Sequence, residues 1–484
     1  MIKLIKRGVY VLGFTLFILF SCLSVLAQQK PWTLTDCIAY AWKNNVVLNQ
    51  QKLTSETTKV NMDQARTNRL PNLNFTDAQT FNFGNTFYQG GSQLVSQNTN
   101  SNTPALNSTV VLFGGGKYIN LVKEAKLNYE AGKLDVETQK NNLALAVTAA
   151  YVLVLFEFEA IITAQHQIEA DSVVAVRTAK YVEVGQSPED SLYQIQAQLA
   201  ATRVAKVVAE NQLQLARLQL AQLMELPLSS LGDVEKPDEI ITVADVAGTA
   251  DEIYKVAESN FPEIKSAALR VSVSQTDVEV NRAALMPTLS LNAGLSTEYY
   301  SGLTHITQQT LYQNQTIGYL QSNPAETVIG PVPVTDVSTQ HYPFFTQFKN
   351  NFSQLVSLNL TVPIFNYYRA RNNIKLAKIN VEMSRLNEQA VKNTLRKNVE
   401  QAYTDQLAAS KNYVATNEQL VAEKRAYADM QLKLRVGLTS VTNFLIEENN
   451  YYKAVLANLQ ARYEYIFKTK VVEFYTGTPL TLTR

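Results

Sequence analysis

Histidine and cysteine are almost missing from this chain, with three and two in 484 residues. His166, His305 and His341 are scattered and have no metal-ligand spacing, so a zinc-type site has no donor set to start from. Cys22 and Cys37 are too few for a disulfide framework or a thiolate cluster. The formal charge is only +1, which leaves no basic footprint for nucleic acid and no acidic tail. Eighteen glycines and fourteen prolines are too few for a disordered or collagen-like chain. A P-loop, a dinucleotide-binding glycine pattern and a nucleophile elbow are all lacking. Gly114-Gly115-Gly116 follows a strand and precedes a helix, but no Lys-Ser/Thr pair comes next, so it reads as a bend out of the strand. Carboxylates such as Glu447-Glu448 lie in a helical stretch and read as a solvated face. No catalytic constellation emerges. The chain reads as a non-enzyme with no cofactor and no metal.

What is present begins with a leader. Lys3, Lys6 and Arg7 precede an apolar run over 9–26 that ends in Val25-Leu26-Ala27, a small-residue cleavage pattern. Residues 1–27 are therefore expected to be a signal peptide; an uncleaved anchor is the alternative, because the run approaches spanning length. Cys22 could be a lipidated first residue, although Phe20 and the apolar residues after Cys22 fit that poorly. Cys37 sits among Ile38, Ala39 and Ala41 at helical spacing and reads as a buried structural thiol. No segment after the leader reads as apolar enough for a transmembrane helix, so membrane insertion would have to use strands.

The chain is duplicated. At an offset of 216, Ala41, Asn44, Arg66, Pro71 and Leu73 fall on Ala257, Asn260, Arg282, Pro287 and Leu289. At an offset of 252, Thr109, Phe113, Ala125, Tyr151, Gly185 and Pro227 fall on Thr361, Phe365, Ala377, Tyr403, Gly437 and Pro479. The two offsets differ by 36 residues, which are extra sequence in the second copy between Leu289 and Thr361. The first repeat spans 28–227, with a helix, a strand hairpin over 72–113 and a long helical hairpin over 117–226. A linker covers 228–250. The second repeat spans 251–484, with its strand hairpin over 288–365 and helical hairpin over 366–475.

The first helix opens at Thr33-Leu34-Thr35-Asp36, a partial capping box, and ends near Leu70-Pro71; its counterpart ends at Met286-Pro287. After each proline the hydrophobic period changes from helical to two. Leu73, Phe75, Phe81 and Phe83 share one face, as do Leu289, Leu291, Ala293 and Leu295; Leu106, Val110 and Leu112, then Val356, Leu358 and Leu360, alternate on the returning strands. Asn72, Asn74, Asn107, Ser290, Asn292, Ser357 and Asn359 take the other face. A lipid-facing barrel around water has this pattern, and so does a half-buried soluble sheet. The loops between strands read as polar: the first holds Gly90-Gly91-Ser92 and 98–102, and the second, 297–349, is rich in Gln, Asn, Thr and Tyr. Aromatics at their ends fit either an interfacial girdle or a loop packed on itself.

Residues 364–478 contain no proline and only Gly437 and Gly477. Leu376, Ile379, Met383 and Leu386 step by three and four, as do Tyr452, Leu456, Leu459, Tyr463 and Ile466, which is coiled-coil spacing. A helix over 117–184 would be about 100 Å long. Gly185 and Gly437 sit where the pattern pauses and permit a tight reversal. No compact single chain can bury helices of that length on all sides, so they need partners.

These residues resemble the TolC-like outer-membrane factor family over essentially the whole mature chain. The matching stretches are Thr33-Leu34-Thr35-Asp36-Cys37-Ile38-Ala39-Tyr40-Ala41-Trp42, the two Leu70-Pro71 and Met286-Pro287 junctions, Val362-Pro363-Ile364-Phe365-Asn366, and Val436-Gly437-Leu438-Thr439-Ser440. The resemblance implies a mostly α fold with β: long antiparallel helical hairpins form a periplasmic tunnel, and each chain of a homotrimer gives four strands to a shared transmembrane β-barrel. It implies an outer-membrane efflux channel, embedded in outer-membrane lipid, that works with a periplasmic adaptor and an inner-membrane pump. Docking of the adaptor would fall on Val184, Gly185, Val436, Gly437, Leu438, Thr439 and Ser440. Where the family often has aspartates at the closed end, this chain has Asn443 and Ile446; Asp190 and Glu447 are the neighbouring acids that would substitute in gating. A duct for type I protein secretion remains open, because cargo choice sits largely in the pump. A secreted coiled-coil structural or adhesive protein would explain the helices but not the strand hairpins.

Overall fold

The computed structural model describes residues 31–87, 94–96, 98–236 and 248–482. The expected leader, Cys22, Gly90-Gly91-Ser92 and linker residues 237–247 lie outside the described residues. Two units emerge, one from Met1–Lys59, Leu127–Val273 and Val381–Arg484, the other from Val60–Lys126 and Ser274–Asn380.

Helices α1 (Leu34–Asn44) and α2 (Val46–Thr67) occupy the place of the single first helix read from sequence. Asn45 breaks it: its amide N–H closes α1, and its Oδ1 accepts from the Leu48 N–H at 3.1 Å to start α2. The strands β1 (Asn74–Thr76), β2 (Gln79–Asn82), β3 (Asn85–Phe87), β4 (Leu94–Ser96), β5 (Thr99–Asn102) and β6 (Ala105–Gly114) follow, then α3 (Lys117–Glu183) and α4 (Glu189–Leu223). The second copy repeats the plan with α5 (Ala250–Asn260), α6 (Pro262–Arg282), β7 (Thr288–Ser296), β8 (Tyr299–Tyr300), β9 (Thr304–Leu320), β10 (Asn323–His341), α7 (Phe344–Asn350), β11 (Ser353–Thr361), α8 (Arg369–Arg435) and α9 (Val441–Tyr475). The long helices match in length: α3 and α8 have 67 residues each, α4 and α9 have 35 each. At α5 the capping box is complete, with the Thr249 N–H donating to Glu252 and the Glu252 N–H to the Thr249 hydroxyl; at α1 the Thr33 hydroxyl accepts from the Asp36 N–H.

The helical unit has three cores. In the first, Cys37, Ile38 and Ala41 of α1 pack on Val147 and Tyr151 of α3, Leu220 of α4 and Tyr463 of α9. Tyr151 is almost fully buried, and its hydroxyl donates to the carbonyls of Trp32 and Glu235, tying down the chain before α1 and after α4. The second core repeats the arrangement with Ile253 and Ala257 of α5 on Leu395 and Val399 of α8. The third lies near the helix reversals. One expectation is corrected: α3 contains an 18-residue window of mean hydropathy 2.0, long and apolar enough to cross a membrane by length and composition. Its apolar residues supply much of the first core.

In the other unit, an antiparallel sheet runs β1-β6-β7-β11. Across it Phe75 faces Leu106 and Leu106 faces Leu295; Val110 faces Leu291 and Leu291 faces Leu358. The polar rows Asn74–Asn107 and Thr109–Asn292–Ser357 alternate with these, and the Thr109 hydroxyl donates to Asn292 at 2.9 Å. A bulge between Val111 and Phe113 puts Phe113, not Leu112, opposite Leu289. The loops expected over 98–102 and 297–349 are largely structured. Thr99–Asn102 is β5, paired with β2 and β8, and the extra residues of the second copy form the long β9–β10 ribbon. At its foot Phe344 stacks on Phe348 and meets Tyr299 at a tilt, while the amide of buried Gln347 bonds the Tyr300 and Tyr342 backbone; Tyr312, Tyr319 and Phe345 stay exposed.

Candidate functional site at the helical tips

Each long hairpin reverses at a glycine in the left-handed region. After α3, the Gly185 N–H donates to the Val182 carbonyl and the Gln186 N–H to the Tyr181 carbonyl; Gly185 has φ +69°. After α8, Gly437 donates to Leu434 and Leu438 to Lys433, with Gly437 at φ +77°. These are paired Schellman closures, which require the residue after the helix to adopt positive φ. Nothing stands within 4 Å of a Cβ at either glycine. Val184, Val436 and Leu438 are exposed around them, Thr439 is half-buried, and the Ser440 hydroxyl caps α9 by accepting from the Asn443 N–H. The seven tip residues singled out from sequence thus lie at the two reversals, where Val184, Val436 and Leu438 present apolar side chains to solvent.

The gating candidates lie near the starts of α4 and α9. Asp190 is exposed in the first turn of α4 and accepts from Gln194 on its own helix. Asn443 and Ile446 are exposed on α9, and Glu447 is half-buried. What joins the hairpins is a set of cross-links between α4 and α9: the Thr442 hydroxyl lies 2.6 Å from Gln194 Oε1, and Gln198 and Asn449 exchange amide hydrogen bonds at 3.0 and 3.2 Å.

Below these lies the third core, with Val174 of α3, Ile195 of α4, Tyr427 of α8, and Val441, Phe444 and Leu445 of α9. Tyr427 and Tyr451 stack with ring centroids 4.8 Å apart. Two acids enter this apolar layer, and both are 0% exposed: Asp171 and Glu448. The Tyr427 hydroxyl donates to Glu448 Oε1 at 2.8 Å, and the Thr202 hydroxyl to Asp171 Oδ2 at 2.7 Å. Burial pushes Glu448 up to about 8, with Asp171 beside it adding to the rise, and burial likewise raises Asp171. Glu448 therefore does not belong to a solvated face, as Glu447-Glu448 was read. The signal was its spacing: Val441, Phe444, Glu448 and Tyr452 step by three and four along the buried stripe of α9. Asp171, Val174 and Thr178 do the same on α3.

Residues 253–477 match the family described as outer membrane efflux protein. The outer membrane protein TolC of Salmonella enteritidis is 25% identical over 215 residues, 42% of this chain and 43% of TolC, so the chain matches less than half the length of that relative. Three solved structures share the fold over nearly the whole chain. The CmeC outer membrane channel of Campylobacter jejuni has a TM-score of 0.73 at 18% identity, covering 93% of this chain and 87% of CmeC. VceC of Vibrio cholerae has 0.72 at 13% identity, covering 92% and 96%. The open state of the Neisseria gonorrhoeae MtrE channel has 0.68 at 19% identity, covering 93% and 90%.

Proposed function

We propose that this chain, whose residues 253–477 match the outer membrane efflux protein family and whose fold is that of solved outer-membrane channels, is the outer-membrane conduit of a tripartite efflux system. Its place is the bacterial outer membrane, with the helical tunnel in the periplasm. Transport through this component is passive, and the energy comes from an inner-membrane pump coupled through a periplasmic adaptor.

One observation carries the reading. Among the described residues the β1-β6-β7-β11 sheet ends in two unpaired edges, and Phe75, Val356, Leu358 and Leu360 on its apolar face are 68%, 74%, 61% and 66% exposed. Such a sheet is unstable alone in water and cannot span lipid with open edges. Joining the β1 edge of one copy to the β11 edge of the next is a head-to-tail contact that closes into a ring. Three copies of a four-stranded sheet then form a barrel with apolar rows outward and the Asn, Thr and Ser rows lining water. The helices support the same assembly. Leu376, Ile379, Met383 and Leu386 form a coiled-coil seam on α8, yet each is more than half exposed in the single chain. Neighbouring copies would cover it. The reversals at Val184-Gly185 and 436–440 are the surfaces we assign to the adaptor.

Fractionation tests this. The chain should be recovered in the outer membrane as a heat-resistant trimer, and mild crosslinking in native membranes should capture an adaptor and a pump. A stably folded, water-soluble single chain would overturn the reading.

A further inference from the structure

Asp171 and Glu448 act on one another across the third core, and each is fully buried. One oxygen of each is held from outside the pair, by Thr202 and by Tyr427. The remaining two, Asp171 Oδ1 and Glu448 Oε2, are buried with no donor of their own. Two ionised carboxylates in contact repel, and each buried oxygen without a donor carries a desolvation cost. A single proton between them removes both problems, because a protonated carboxyl donates while its neighbour accepts.

The four residues come from four helices. Asp171 and Thr202 belong to α3 and α4, the first hairpin; Tyr427 and Glu448 belong to α8 and α9, the second. We propose that Asp171 and Glu448 form a proton-held latch between the two helical hairpins, closed while one proton is shared and released when that proton is lost. The Gln198–Asn449 amide pair also joins the hairpins, but it does not titrate. The titratable groups around the latch are Tyr427 from α8, Tyr451 and Tyr452 from α9, and Glu169 from α3; α4 contributes the neutral Thr202 and Gln198. Among the described residues, no cation is one of the groups that act on either carboxyl. Losing the proton therefore leaves two uncompensated negative charges in an apolar layer, which drives the hairpins apart. A carboxyl raised by folding stabilises the fold fully below its ordinary range, and that contribution is lost as pH rises through the folded value, here about 8 for Glu448. Acid closes the latch and alkali opens it.

The latch needs only the fold, so its test does not depend on export. Infrared spectra and amide exchange of the full purified chain are recorded between about pH 6 and about pH 10, with exchange corrected for its intrinsic pH dependence. The wild type should show a protonated-carboxyl band at neutral pH that fades through about 8. Glu448→Gln and Asp171→Asn should both lack that band, since an amide replaces the proton as permanent donor. Exchange at the tip ends of α3, α4, α8 and α9 should rise roughly tenfold in the wild type with alkali and stay flat in both variants. Absence of the band in the wild type at neutral pH would overturn the proposal. So would exchange in either folded variant that follows the wild-type rise.

Discussion

Gly116 and Tyr368 hold the same left-handed backbone conformation, at φ +82° and +59°, although 252 residues separate them. The residue before each does so as well, Gly115 at +62° and Tyr367 at +55°. The relation extends to Gly185 and Gly437, and to Glu225 at +56° and Gly477 at +89°. Backbone geometry has persisted in both copies where side chains have not. A side chain in this region costs about 1–2 kcal/mol, so Tyr367, Tyr368 and Glu225 are held there by their surroundings.

The paired glycines of the first copy should not respond alike. A Cβ at Gly115 would lie 2.5 Å from Met286 Cβ and 3.0 Å from the Ala283 carbonyl, whereas one at Gly116 meets only Asn120 Nδ2 at 3.8 Å. Gly116→Ala should cost about 1 kcal/mol, from backbone strain alone. Gly115→Ala should cost about 2–4 kcal/mol, because α6 and the turn after it must also shift. Chemical unfolding of the purified variants measures both; equal losses would count against the packing argument.

Gly437→Glu and Gly477→Glu impose the same backbone strain, since both positions are left-handed and open to solvent. They differ in location, one at the reversal after α8 and the other just past the end of α9. Gly437→Glu should abolish efflux-dependent resistance while the chain remains inserted. Gly477→Glu should leave resistance within about twofold of wild type, as strain of about 1–2 kcal/mol does not unfold the chain. Unchanged export by Gly437→Glu would remove the docking assignment.

Tyr427→Phe deletes the hydroxyl that donates to Glu448 Oε1. That hydrogen bond favours the ionised carboxylate and pulls Glu448 downward. Its loss should therefore raise the titration of Glu448 further and move the pH at which the tips loosen upward. A midpoint of amide exchange displaced downward would contradict this sign.

Cys37 is fully buried against α3, and desolvation pushes its thiol up to about 12. The thiolate is the reactive form, so Cys37 should resist alkylation near neutral pH in the folded protein and react promptly once denaturant is added. Mass spectrometry of the peptide containing Cys37 reads this directly.

The repeat offsets, the strand alternation and the glycine reversals were legible in the sequence because each depends on residue type at a local spacing. The break at Asn45 was not, since Asn is acceptable within a helix and only its side-chain bond to the Leu48 N–H reveals a cap. The β9–β10 ribbon was hidden because its Gln, Asn and Thr are exposed on both faces, which removes the period that marks a half-buried strand. Glu448 was misplaced and Asp171 passed over for another reason. An acid in an apolar stripe reads as an interruption unless a second acid supplies the proton partner, and those two are far apart in sequence.

Equal helix lengths in the two copies, 67 with 67 and 35 with 35, act as a gauge. Removing one turn from α8 alone would throw its reversal about 5 Å out of step with that of α3, and the polar contacts between Gln198 and Asn449 would no longer meet. Growth and shortening of this molecule are therefore confined to stretches that need not match a twin. The 36 surplus residues sit between β7 and β11, where a ribbon can lengthen without disturbing the alignment of its neighbours.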